Sequence, residues 1–196
     1  MRFRTLKKRH EYMGQVELAA STPRGLMNMQ NANASVCGSR ALMAIGIAGG
    51  IAGTLDLTQA SILFGLDVPR VIAAGLLGKA AVHGGTGMWI LGVCLHYFIA
   101  ISAAGMFYAA SRRWTFMTEY PLVCGLLFGG VVEEVMNLIV LPLSALHARG
   151  PYELSDLLQG LGVHAVVFGL PVAYCIRHWA PAAPRVAKES EQATIV

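Results

Sequence analysis

Four apolar stretches, each long enough to cross a bilayer as a helix, limit what this chain can become. They cover about 41–63, 88–110, 120–144 and 154–176. A helix of about 23 residues measures roughly 35 Å at 1.5 Å per residue, so each can span the hydrocarbon with some tilt. Charge avoids these stretches. Only 13% of the residues are Asp, Glu, Lys or Arg, against roughly 25% in an ordinary soluble domain. Hydrocarbon offers no water to backbone N–H and C=O groups, so isolated spans of this kind are helical. The sequence predicts an all-α integral membrane protein, a four-transmembrane-helix bundle. Residues 1–40 form a basic cytoplasmic arm with a short helix over 6–18, 41–178 the membrane domain, and 179–196 a flexible cytoplasmic tail.

The net charge of +4 is explained by topology. Seven of the fifteen basic residues precede position 41, and no basic run is interleaved with aromatics, so nucleic acid is not an expected partner. With Arg112, Arg113 and the 177–188 tail on the same side as the arm, both termini are cytoplasmic. The outer connections 64–87 and 145–153 then carry Arg70, Lys79 and Arg149. Trp89 and Tyr152 suit one interface, and Trp114, Tyr120 and Trp179 the other. Cys37, Cys94, Cys124 and Cys175 are scattered singly, supporting neither a disulfide framework nor a zinc module. No apolar core follows the first basic residues, so a cleaved signal peptide is not expected.

The connection 64–87 has the pattern of an interfacial helix, with a re-entrant segment as the alternative. Pro69 suits its start, and Val71, Ile72, Gly75, Leu76 and Ala80 form an apolar stripe, with Arg70 and Lys79 outward. His83, before Gly84 and Gly85, is a secondary site candidate near its end. In the first span Gly46, Gly49, Gly50 and Gly53 permit close packing.

The third span poses the chemical question. Glu133, Glu134 and Asn137 sit inside an apolar run, where a charged side chain costs about 2.5–3.5 kcal/mol even on lenient insertion scales. The other spans supply counterparts: Asp56 in the first, His96 in the second, His164 in the fourth. Counted from the outer helix ends, Asp56, His96, Asn137 and His164 all lie roughly 12–15 Å deep along a straight helix. Gly125, Gly129, Glu133 and Asn137 share one face at four-residue spacing, as do Gly92, His96, Ala100 and Ala103, and Gly160, His164 and Pro171. Glu133 is the inward carboxylate. Glu134, about 100° away, meets a neighbouring helix or another subunit. Gly49–Gly50 and Gly129–Gly130, with the echo of 92–96 in 160–164, suggest a parallel duplication of a two-helix unit.

Three functions suit Asp56, His96, Glu133, Asn137 and His164. The first is a proton- or cation-coupled small-solute carrier or channel subunit, with Glu133 binding the ion, Asp56 and the histidines tuning it, and Pro171 localising a kink. The second is a redox protein, with His96 and His164 ligating haem or joining Asp56 and Glu133 around a divalent metal. The third is a structural or accessory protein whose polar groups specify helix pairing and a homo-oligomer.

GGIAGTLD at 49–56, GLLGKAAVHGG at 75–85, GVCLHYFIA at 92–100 and MNLIVLPLSA at 136–145 resemble a family of small, uncharacterised bacterial four-span membrane proteins. The resemblance covers about 41–178 and implies a bacterial inner-membrane location and a compact helical fold. It assigns no catalytic role to Asp56, His83, His96 or Asn137. Glu133–Glu134 departs from the apolar or aromatic residues of that pattern before Met136–Asn137, which marks the pair as a specialisation of this chain.

Overall fold

The computed structural model describes residues 23–148 and 153–180. The helix expected over 6–18, Arg149 and Tyr152, and the tail beyond Ala180 lie outside the described residues. The chain divides into two compact units, Met1–Ala41 and Leu42–Val196. Among the described residues every regular element is helical.

In the first unit, the part of the expected arm from Pro23 onward is helical and belongs to helix α1, Pro23–Phe64. Proline's fixed φ suits a first helical turn, and no further proline occurs before Pro69. Val36–Phe64 is the part of α1 long and apolar enough to cross a membrane. Gly65, at φ 93°, then releases the chain, and α2 (Val68–Leu77) begins with proline near its start.

The second unit continues with a 3-10 turn, Lys79–His83, and then α3, Thr86–Arg113. A short helix α4, Phe116–Glu119, precedes the last two spans, α5 (Pro121–Leu143) and α6 (Leu154–Trp179). Among the described residues four helices are thus long and apolar enough to cross a membrane, with a shorter one between the first two. The chain is a multi-span membrane protein.

Packing inside the second unit is built from small residues. Ala44, Ala48 and Ala52 recur at four-residue spacing on α1 and join Ala100, Ala103, Ala104 and Phe107 of α3 in the core. Phe168, Val172, Ala173, Cys175 and Ile176 of α6, with Cys124 of α5, complete it. Large side chains such as Ile62, Phe98, Leu127 and Leu138 point outward and are exposed. This inversion is physical: lipid tails are as apolar as leucine, so spans associate through close backbone contact rather than by hiding hydrophobes.

The glycines of α1 divide by helical phase. A Cβ on Gly49 would lie 2.6 Å from the Ile101 Cα, and one on Gly53 would lie 2.9 Å from the Ala100 Cβ. Gly46 and Gly50 have nothing within 4 Å, so only half of the expected glycine stripe packs. On α5, Gly129 sits against the His164 carbonyl and Gly125 against the backbone at Gly169. Those contacts set the α5–α6 crossing.

Both α5 and α6 contain a widened π-helical turn, Met136–Val140 and His164–Gly169. Each ends two residues before a proline, Pro142 or Pro171. The carbonyls four residues upstream of these prolines, on Leu138 and Val167, fall inside the widened turns, where proline supplies no N–H and its ring would crowd an α-helical carbonyl. The irregularity expected at Pro171 is therefore a widened turn upstream of it.

The face of α2 that packs on protein is not the apolar stripe read from the sequence. Pro69, Ala73 and Ala74 are the buried residues, and Val71 and Leu76 are exposed. Ala80 lies beyond the helix in the 3-10 turn and is also exposed. Small side chains let α2 lie close on α3, with the Pro69 backbone against Gly92. Gly92 thus serves α2 rather than the bundle interior. The indole N–H of Trp89 donates to the Leu66 carbonyl at 2.9 Å, and the Ala145 N–H donates to the Gly75 carbonyl at 2.8 Å, tying α2 to α3 and to the chain after α5.

Candidate functional site

Each spanning helix delivers a polar side chain to one place inside the second unit. Asp56 comes from α1, His96 from α3, Glu133 and Asn137 from α5, and His164 from α6. Asp56, Glu133 and Asn137 are buried, at 9%, 8% and 9% exposure. His96 and His164 are partly buried.

The groups form a chain of neighbours. Asn137 Nδ2 donates to Glu133 Oε1 at 2.8 Å, as four-residue spacing on a helix allows. The other carboxylate oxygen, Oε2, is 2.9 Å from His164 Nδ1. Across the same imidazole, Nε2 is 3.5 Å from Asp56 Oδ1. Asp56 Oδ2 is 3.9 Å from His96 Nε2, whose N–H donates to the Gly53 carbonyl at 2.8 Å. The order is Asn137, Glu133, His164, Asp56, His96.

Local sequence explains the geometry. Gly160 leaves room for the Glu133 carboxylate, since a Cβ there would overlap it. Gly129 lets α5 approach the backbone of α6 at His164. Asn137 lies inside the first widened turn and His164 opens the second, positions at which π turns often place functional side chains.

Two members are not fully satisfied. Asp56 Oδ1 and His164 Nδ1 are buried without an aligned hydrogen bond, despite the short approach of His164 Nδ1 to Glu133. Beside Asp56 and His164 lies a cavity of about 70 Å³, also lined by His96, Ile72, Val132, Met136 and Phe168. That volume takes a few waters or one small ion. It is well below the roughly 300–1,000 Å³ of sites for organic ligands.

Among the described residues no group of three or more His, Cys, Asp or Glu is disposed to hold a metal ion. The imidazoles flank Asp56, each with Nε2 toward one of its oxygens.

The secondary candidates separate from the cluster. His83 is exposed at the end of the 3-10 turn. Glu134 lies in an outward groove between α5 and α6. Thr54 and Thr58, near Asp56 in sequence, donate to the carbonyls of Gly50 and Thr54 in their own helix. Because the Thr54 hydroxyl proton is committed to Gly50, the Tyr97 hydroxyl donates to Thr54 Oγ1 at 2.8 Å.

Sequence reading missed Ile72 as a cavity wall and the Gly53 carbonyl as the partner of His96. Ile72 carried only an apolar signal, and no side-chain pattern marks a carbonyl. No family model, no curated protein and no solved structure matches this chain.

Proposed function

We propose that the chain is a proton-coupled membrane carrier or channel subunit whose proton-binding element runs from Glu133 through His164 to Asp56. One observation carries this reading: carboxylate and imidazole groups alternate within 2.9–3.9 Å of one another and come from all four spans. Intramembrane ionisable groups that face the bundle interior mark ion pathways and proton relays. An imidazole between two carboxylates can accept a proton at one nitrogen and release one from the other. The small cavity favours a proton, with water, over an organic solute as the species handled at this cluster.

His96, held to the Gly53 carbonyl, orients Asp56 from one side, while Asn137 orients Glu133 from the other. Resemblance to the bacterial four-span family and the positive-inside pattern of Arg112, Arg113 and Arg177 support a bacterial inner membrane with cytoplasmic termini. A homo-oligomer would supply a longer path than one four-helix unit.

Vesicles containing the purified protein and an internal pH-sensitive dye provide the test. Under an imposed pH gradient and membrane potential, wild type is expected to pass protons at least tenfold faster than Glu133→Gln or Asp56→Asn. Equal flux in wild type and both folded variants would overturn the proton-binding role. A second reading, that the cluster is architectural, is favoured by its reach across all four spans. It expects these substitutions to lower resistance to unfolding while wild-type vesicles show no flux above protein-free ones.

A further inference from the structure

Glu134 follows Glu133 on α5 but faces a different side, into an open groove of about 560 Å³ between α5 and α6. Leu127, Gly130, Val131, Leu138, Leu161 and Ala165 help form its apolar walls. Leu127, Val131 and Leu138 are exposed, so the groove opens on the lipid side of the bundle. Glu134 is partly buried and has no hydrogen bond or ion pair among the described residues.

A carboxylate near the middle of the Pro121–Leu143 span is costly without a partner. A second copy of the chain would supply no lysine or arginine at that depth from its described residues. Arg40, Arg70, Lys79, Arg112, Arg113 and Arg177 lie near the ends of spans or in connections. His96 and His164 are turned toward Asp56. The complementary occupant is a positive charge on an apolar body that arrives through the bilayer.

We propose that this groove binds hydrophobic organic monocations partitioned into the membrane, with Glu134 as the counter-charge. Its volume lies within the roughly 300–1,000 Å³ common for small-molecule sites. The site is separate from the 70 Å³ cavity at Asp56, and the inference does not depend on proton coupling there.

The test is equilibrium binding of tetraphenylphosphonium to the full-length protein in nanodiscs, with triphenylphosphine oxide as the uncharged comparator. Wild type is expected to bind the cation saturably, once per chain, and the neutral compound at least tenfold more weakly. Glu134→Gln should weaken cation binding at least tenfold. Gly130→Leu should do the same while keeping the carboxylate, because the nearest atom to a Cβ at that position is Leu161 Cδ2 at 3.6 Å, and the longer side chain would fill the groove. If Glu134→Gln does not fold, the Gly130→Leu variant and the neutral comparator decide.

No saturable binding by wild type, equal binding by wild type and the folded variants, or equal affinity for charged and neutral compounds would each overturn the proposal. Native mass measurement of the same samples adds one further outcome. A Glu134-dependent dimer that excludes the cation would assign the groove to a second copy and overturn it as well.

Discussion

Glu133 has its two oxygens committed to different helical positions, one to Asn137 on its own helix and one to His164 on the next. Polar contacts between membrane helices average about 0.6 kcal/mol and reach about 1.7 kcal/mol, because the unfolded chain in the bilayer also finds partners. Asn137→Ala is therefore expected to destabilise the protein by about 1 kcal/mol. A double-mutant cycle with Glu133→Gln, read by unfolding in mixed micelles, should give a coupling in that same range of about 0.6–1.7 kcal/mol. A coupling near zero would mean that the 2.8 Å contact has no energetic consequence. The exposed His83 belongs to the opposite class. His83→Ala should change stability by less than about 0.5 kcal/mol and leave proton flux unchanged. Sequence spacing brought Asp56, His96, Glu133, Asn137 and His164 to one depth, because rise per residue is fixed. It did not give their order, which depends on helix rotation and on the Gly129 and Gly160 contacts.

At the scale of elements, adjacent glycines on α1 make a sharp comparison. Gly49→Ala places a methyl against the Ile101 backbone, whereas Gly50→Ala enters open space. The first should cost about 1–3 kcal/mol, as overpacking does. The second should be neutral or slightly stabilising, since alanine is the better helix former. Thermal unfolding of the two variants in one detergent checks this directly, and equal melting would contradict the packing described for α1 and α3. Proline supplies the second element-level expectation. Pro171→Ala restores an N–H donor four residues after Val167 and removes the ring, so the widened turn His164–Gly169 loses one of its causes. The variant should fold but carry protons more slowly, because His164 begins that turn. The four spans were legible from length and hydropathy, with observed ends a few residues from those expected. The π turns were not, although the two prolines that accompany them stood plainly in the sequence. A proline says that a helix must adjust, not whether by a bend, a break or an extra residue in the turn.

For the whole molecule, four spans place the segments after α3 and after α5 on opposite membrane faces. In a chain whose four cysteines have been replaced, Thr115→Cys and His147→Cys should react from opposite sides with a membrane-impermeant maleimide. Both native positions are exposed, so accessibility should report topology rather than burial. Labelling of both from one side would remove the four-span arrangement. Hydropathy could count the spans but could not place α2, because a short apolar helix at a membrane surface looks the same whether it rests on lipid or on protein. Its small face, Pro69, Ala73 and Ala74, decided the matter through α3. Ile72 of that helix forms part of the wall beside Asp56 and His164, and the Ala145-to-Gly75 backbone bond holds the helix to the end of α5. Lifting α2 by a few ångströms would therefore widen the chamber around the acid and strain that bond in one movement.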